Sequence, residues 1–185
     1  MNNCNNIADI ALSTKNKIIE IFKNSSWFDK NNKNHNIIIT QLNKQTTFNL
    51  NAAPSYNGNI RRHIANKENQ NAEIINKIEK FIECFVNKYK NNNQINENDL
   101  NKSRILSIIK DFFAFLSELD RIIDNSTDFI PKKYKKNYNG DARYSYQQDI
   151  KNQNILLEKR ICESDVTYLA DILKQINNKL IIINL

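Results

Sequence analysis

A mainly α-helical bundle of four to five helices, with a small β-hairpin near its amino terminus, is the fold this chain predicts. Three observations predict it. Residues 98–125 are apolar around most of a helical circumference. Further stretches before and after them place apolar residues at steps of three and four. Residues 36–50, by contrast, hold two short β-branched runs separated by Asn43-Lys44, which reads as two strands and a turn.

Residues 98–125 are the centre of this reading. Ile105, Ile109, Phe112, Leu116, Leu119 and Ile123 make one face, and Ile108, Phe115 and Ile122 widen it. Only a narrow polar strip with Lys110, Ser117, Asp120 and Asp124 is left for solvent. A helix so widely apolar needs neighbours on several sides.

Taken in order, residues 7–23 predict a first amphipathic helix through Ile7, Ile10, Ala11, Ile18, Ile19 and Phe22, ended by Asn24-Ser25-Ser26. Trp27 and Phe28 are expected to fold back onto the core, since an exposed aromatic pair invites association. The hairpin at 36–50 follows, with residues 180–183 as a third strand to support it, because two strands alone are marginal in water. Residues 52–58 hold one of two prolines and one of two glycines. They mark a sub-boundary at 51–59 within a single domain of residues 1–185. A helix beginning at 60 or 66 then runs to 90, with Ile74, Ile75, Ile78, Phe81, Ile82, Phe85, Val86 and Tyr89 inward and Glu73 four residues before Lys77 on the outside. Cys84 is expected on its core side. The short connector at 91–98 makes this helix and the central one antiparallel neighbours. After 125, Asp128-Phe129-Ile130-Pro131 stops any helix. A last helical stretch at 147–177, with a possible restart at Ser164-Asp165, turns Ile150, Leu157, Ile161, Tyr168, Leu169, Ile172 and Ile176 inward.

Composition limits the function. Asn, Ile and Lys supply 84 of the 185 residues (34, 29 and 21). All three are read from A/T-rich codons, so the net charge of +7 is explained by drift in an A/T-rich genome without an acidic partner. The longest apolar run, residues 112–116, is far below the roughly 20 residues a membrane span needs. The amino terminus lacks the pattern of a secretory signal. Three widely spaced cysteines, Cys4, Cys84 and Cys162, form no C-x-x-C and suit a reducing, cytoplasmic compartment. Two glycines cannot build a phosphate loop. His35 and His63 have no Cys or carboxylate at ligand spacing, which speaks against a metal site or a His-based triad. Asp111, Glu118 and Asp120 spread around the central helix and read as solvated rather than metal-binding. No cofactor, metal or catalytic residue is expected.

What remains are two basic places. In the loop at 131–146, Lys132, Lys133, Lys135, Lys136 and Arg143 interleave with Tyr134, Tyr138, Tyr144 and Tyr146. Such a mixture suits a polyanion or a partner surface, cations meeting phosphates while rings stack on unpaired bases. A solvated loop is the plainer account. Arg61 and Arg62 form a second cluster, less easily ascribed to drift because the chain has only six arginines. The reading that follows is a non-catalytic accessory or adaptor protein whose partner is another protein, engaged through these residues. The alternative is a protein that binds single-stranded RNA or DNA through the same loop.

Overall fold

The computed structural model describes residues 3–44, 59–91, 96–127 and 163–183, and every regular element among them is helical. In chain order these are α1 (Asn3–Asn24), α2 (Lys33–Lys44), α3 (Asn59–Asn91), α4 (Glu97–Thr127) and α5 (Glu163–Ile183). The expected helical bundle is present. The expected hairpin is not.

Helix α4 is the hub, packed against α3, α5 and α1. Between Ile105 and Ile122 only Ala114 and Arg121 are exposed. Phe112, Phe113, Phe115, Ile109 and Leu116 are wholly enclosed, and each such side chain contributes about 1.5–3 kcal/mol by leaving water. Two consecutive residues of α4 fix its neighbours. Lys110 pairs with Glu79 of α3 at 2.9 Å, and Asp111 accepts from Lys179 of α5 at 2.6 Å. With Lys102 lying over Phe85 as well, the order of these pairs along the chain makes α3 antiparallel to α4. A buried polar tie joins α1 to α5, where the Asn177 amide donates to Thr14 Oγ1 at 3.0 Å and Thr14 donates in turn to the Ile10 carbonyl.

Local chemistry sets the helix ends. Asn32 caps α2, its Oδ1 accepting from the Asn34 N–H at 2.9 Å. Asn96 does the same for α4 through the Asn98 N–H, with Glu97 and Asp99 adding negative charge to the first turn. Ser25 closes α1 by directing both its N–H and its hydroxyl to the Phe22 carbonyl.

Several expectations are corrected. Ile37, Ile38, Ile39 and Thr40 lie in α2, not a strand. Ile38 and Leu42, one helical turn apart, are buried, and that packing with the Asn32 cap outweighs a β-branched preference of a few tenths of a kcal/mol per residue. The hairpin's second arm at 45–50 lies outside the described residues. Residues 180–183 end α5 as helix, continuing the buried series Val166, Leu169, Leu173, Ile176 and Leu180. On α3, Ile74 and Ile78 are buried as expected, yet Phe81 and Val86 are each 40% exposed and Cys84 is a free, exposed thiol. Tyr168 faces outward at 52% exposed. Asp120, assigned to the solvent strip, is only 8% exposed. Among the described residues no helix is long and apolar enough to cross a membrane. The sub-boundary at 51–59 and the stretch 147–162 lie outside the described residues, apart from Asn59, which opens α3.

Candidate functional site

The predicted contact residues Lys132, Lys133, Tyr134, Lys135, Lys136, Tyr138, Arg143 and Tyr144 lie outside the described residues. Arg61 and Arg62 fall in the first turn of α3, where the helix dipole favours anions rather than cations. The geometry with the most chemistry is elsewhere, at the end of the bundle where α1 finishes and α4 begins.

There the chain turns a tight corner from α1 into α2. The Phe28 N–H donates to the Ser25 carbonyl and the Asn32 N–H to the Asp29 carbonyl, each at 3.1 Å. The turn folds Trp27 and Phe28 back onto Phe22, with ring centres 5.2 and 5.1 Å away in edge-to-face contact. His35, in the first turn of α2, completes the group. It stacks on Phe28 at 5.7 Å and meets Phe22 and Trp27 edge-on at 5.6 and 5.4 Å. Its Nδ1 accepts the Asp29 N–H at 3.1 Å. Across the corner, the Lys102 ammonium of α4 lies 5.0 Å from the Trp27 ring centre and 4.5 Å from that of Phe85. A cation between two aromatic faces gains about 0.5–1 kcal/mol at each when partly exposed.

Burial, and after it the Lys102 charge, hold His35 below the usual histidine range, and Asp29 pulls the other way. Because a donor already points at Nδ1, the ring keeps its lone pair there and its proton on Nε2. Tyr89, near Asp99 on the same end, is pushed up by burial and by that carboxylate.

Trp27 is also one wall of a pocket of about 350 Å³. Lys17, Glu20, Ile21 and Asn24 line it from α1, Ser25 and Ser26 from the corner, Asn98, Asn101 and Ile105 from α4, and Ile183 from α5. Its lining combines aliphatic side chains, an indole and three carboxamides. One cation and one anion offset each other. The Ser25 hydroxyl is committed to the Phe22 carbonyl, so it is not a free nucleophile.

At the far end of α4 the polar chemistry is of another kind. Asp120 Oδ2 and both amide atoms of Asn71 are enclosed with no partner among the described residues. Burial raises the Asp120 carboxyl to about 6, with Glu68 adding to the rise and Lys67 opposing it. Glu118 is taken up by Arg121 and Asp111 by Lys179. Among the described residues, no group of three or more His, Cys, Asp or Glu could hold a metal ion.

Sequence reading placed Trp27 and Phe28 on the core but missed His35 and Lys102. Their roles arise from contacts across elements. The one local signal was the Asn32 cap with a ring three residues later.

No family model matches the chain, and no solved structure matches it. Among curated proteins it is similar to the chaperone SurA of Buchnera aphidicola subsp. Schizaphis graminum, 31% identical over 146 residues, with 74% of this chain and 32% of that protein covered. The chain thus spans about a third of the length of the curated relative it matches.

Proposed function

We propose that this chain is a non-catalytic protein that works by holding another polypeptide, and that the pocket beside Trp27 is where the polypeptide seats. The lining of the pocket carries the reading. Carboxamides such as Asn24, Asn98 and Asn101 both donate and accept, which matches the alternating N–H and C=O groups of an extended main chain. Trp27, Ile21 and Ile105 offer an apolar surface for a side chain carried between them. The offset of Lys17 by Glu20 leaves little to attract a phosphate. Similarity to a chaperone supports the same reading, because a chaperone's ligand is a polypeptide. The exposed thiol of Cys84 suits a reducing, cytoplasmic setting. The nucleic-acid alternative rests on residues 131–146, and no described feature favours it.

The test is binding of a labelled, permanently unfolded protein at physiological salt, read by anisotropy, beside a mixed-sequence single-stranded RNA. Saturable binding of the polypeptide, weakened about tenfold when Asn24 and Asn101 are both replaced by Ala, is expected from the loss of two hydrogen bonds. Binding of the RNA alone, abolished in a variant with Lys132, Lys133, Lys135 and Lys136 replaced by Ala, would contradict the proposal.

A further inference from the structure

We propose that the α1–α2 corner is an acid-operated gate on the pocket, with His35 as its trigger. A proton arriving at Nδ1 removes the acceptor of the Asp29 N–H, sets a second cation beside Lys102 and releases Trp27 from the wall it forms.

One imidazole ties the corner together, alongside turn hydrogen bonds that do not involve it. Three of its contacts are rings, Phe22 from α1 and Trp27 and Phe28 from the turn. The fourth is the 3.1 Å hydrogen bond from Asp29, which spans the turn and needs a lone pair on Nδ1. Protonation converts that contact into two N–H groups facing each other. The charged groups that face the ring are Lys102 from α4 and Asp29 from the turn; α1 presents only Phe22, and α3 reaches this place through Phe85 on the other side of Lys102. Lys102 repels an imidazolium. So does the amino-terminal end of α2, where His35 sits in the first turn. Asp29 alone favours it, and its Oδ1 already accepts the Asn31 N–H at 2.8 Å.

The turn is also poised to open. Trp27 Nε1 is enclosed with no acceptor among the described residues, and a buried donor left unmet is destabilising until water reaches it. Opening would expose that N–H, and Ser25, Ser26 and Trp27 would leave one side of the pocket. Histidine is suited to such a role because modest surroundings move its titration across the range cells use. His35 is held below its ordinary value of 6.5. The neutral corner is therefore complete above that pH and is lost as pH falls through the lower folded value. The consequence for the ligand rests on the polypeptide reading above, whereas the opening itself does not.

Trp27 is the chain's single tryptophan, so its emission reports this corner alone. The full chain would be titrated from about pH 8 to about pH 4.5 as wild type, His35→Phe and Asp120→Asn, with far-ultraviolet circular dichroism beside it. The expected result is a red shift in one step below pH 6.5 with helicity retained, present in Asp120→Asn and absent in His35→Phe. A flat wild-type emission, or the same step in His35→Phe, would overturn the gate. Should His35→Phe fail to fold, proton resonances of the two histidines decide. His35 titrating at or above 6.5 would overturn the gate, and titration below it in step with the Trp27 shift would support it. Binding of the unfolded protein probe at the two pH extremes completes the test. Release of about tenfold in wild type and in Asp120→Asn, and none in His35→Phe, is expected. An emission step without release would overturn the polypeptide reading of the pocket, not the acid opening.

Discussion

At the start of α4, Lys102 spreads its ammonium over Trp27 and Phe85 beside a neutral His35. Roughly 27 Å further along the same helix, at 1.5 Å per residue, Asp120 is buried where α4 faces Lys67 and Glu68 of α3, and its Oδ2, like the Asn71 amide of α3, meets no partner among the described residues. The first place sets its titratable groups among rings and a main-chain donor, with the Trp27 Nε1–H enclosed and without an acceptor among the described residues. The second encloses a carboxyl group and an amide. The same proton therefore acts in opposite senses at the two ends. His35 is depressed, so acid takes stability from the corner. Asp120 is raised to about 6 from an ordinary 3.8, so its contribution is full below the ordinary value and lost as pH rises through about 6. One helix thus joins an end that acid loosens to an end that acid tightens.

The largest effect that breaks the contrast is loss of Phe22, the ring beneath Trp27, Phe28 and His35 and itself wholly buried. Phe22→Ala should cost about 3–5 kcal/mol in urea unfolding and abolish any acid step in Trp27 emission. Next comes Asp120→Asn. Removing a carboxyl that resists ionisation should stabilise the fold at about pH 8 by on the order of 2 kcal/mol and change little at about pH 4. Unfolding midpoints at the two pH values check both the size and the sign. Asn71→Leu replaces an amide with no described partner and should leave stability unchanged or raise it by about 1 kcal/mol; a loss above about 2 kcal/mol would mean that the amide is paired after all. Lys102→Met keeps the stem over the rings and deletes the charge. It should cost roughly 1 kcal/mol and move the His35 titration upward, read by proton resonance. Smallest is Glu73→Ala, which breaks an exposed pair at 2.7 Å and should stay within about 0.5 kcal/mol.

How far the sequence anticipated this differs along the chain for physical reasons. Helix α4 was legible because apolar residues cover most of its circumference, and no arrangement other than a central helix hides them. Helix α1 and its stop at Ser25 were legible from the same period. Helix α2 was misread because Ile37, Ile38 and Ile39 favour a strand locally, and only the position of α1 reveals that Ile38 and Leu42 share a buried face. Phe81, Val86 and Tyr168 kept the right period but lie toward the margins of their stripes, where exposure depends on what stands opposite. Asp120 looked like solvent chemistry because a side chain's burial is decided by the facing helix, here α3, whose Lys67 and Glu68 act on it. The corner was half legible. Trp27 and Phe28 declared themselves, whereas His35 lies among Asn and Lys and acquires its meaning only when six residues of turn bring Nδ1 to Asp29.

Amide hydrogen exchange at about pH 8 and about pH 5, corrected for intrinsic rates, tests the opposition between the two ends most directly. Protection is predicted to fall around Asp29–Ile38 and to rise around Lys67–Ile74 and Leu116–Ile122 as the pH is lowered. Protection that moves in the same direction at both ends, or at neither, would contradict it.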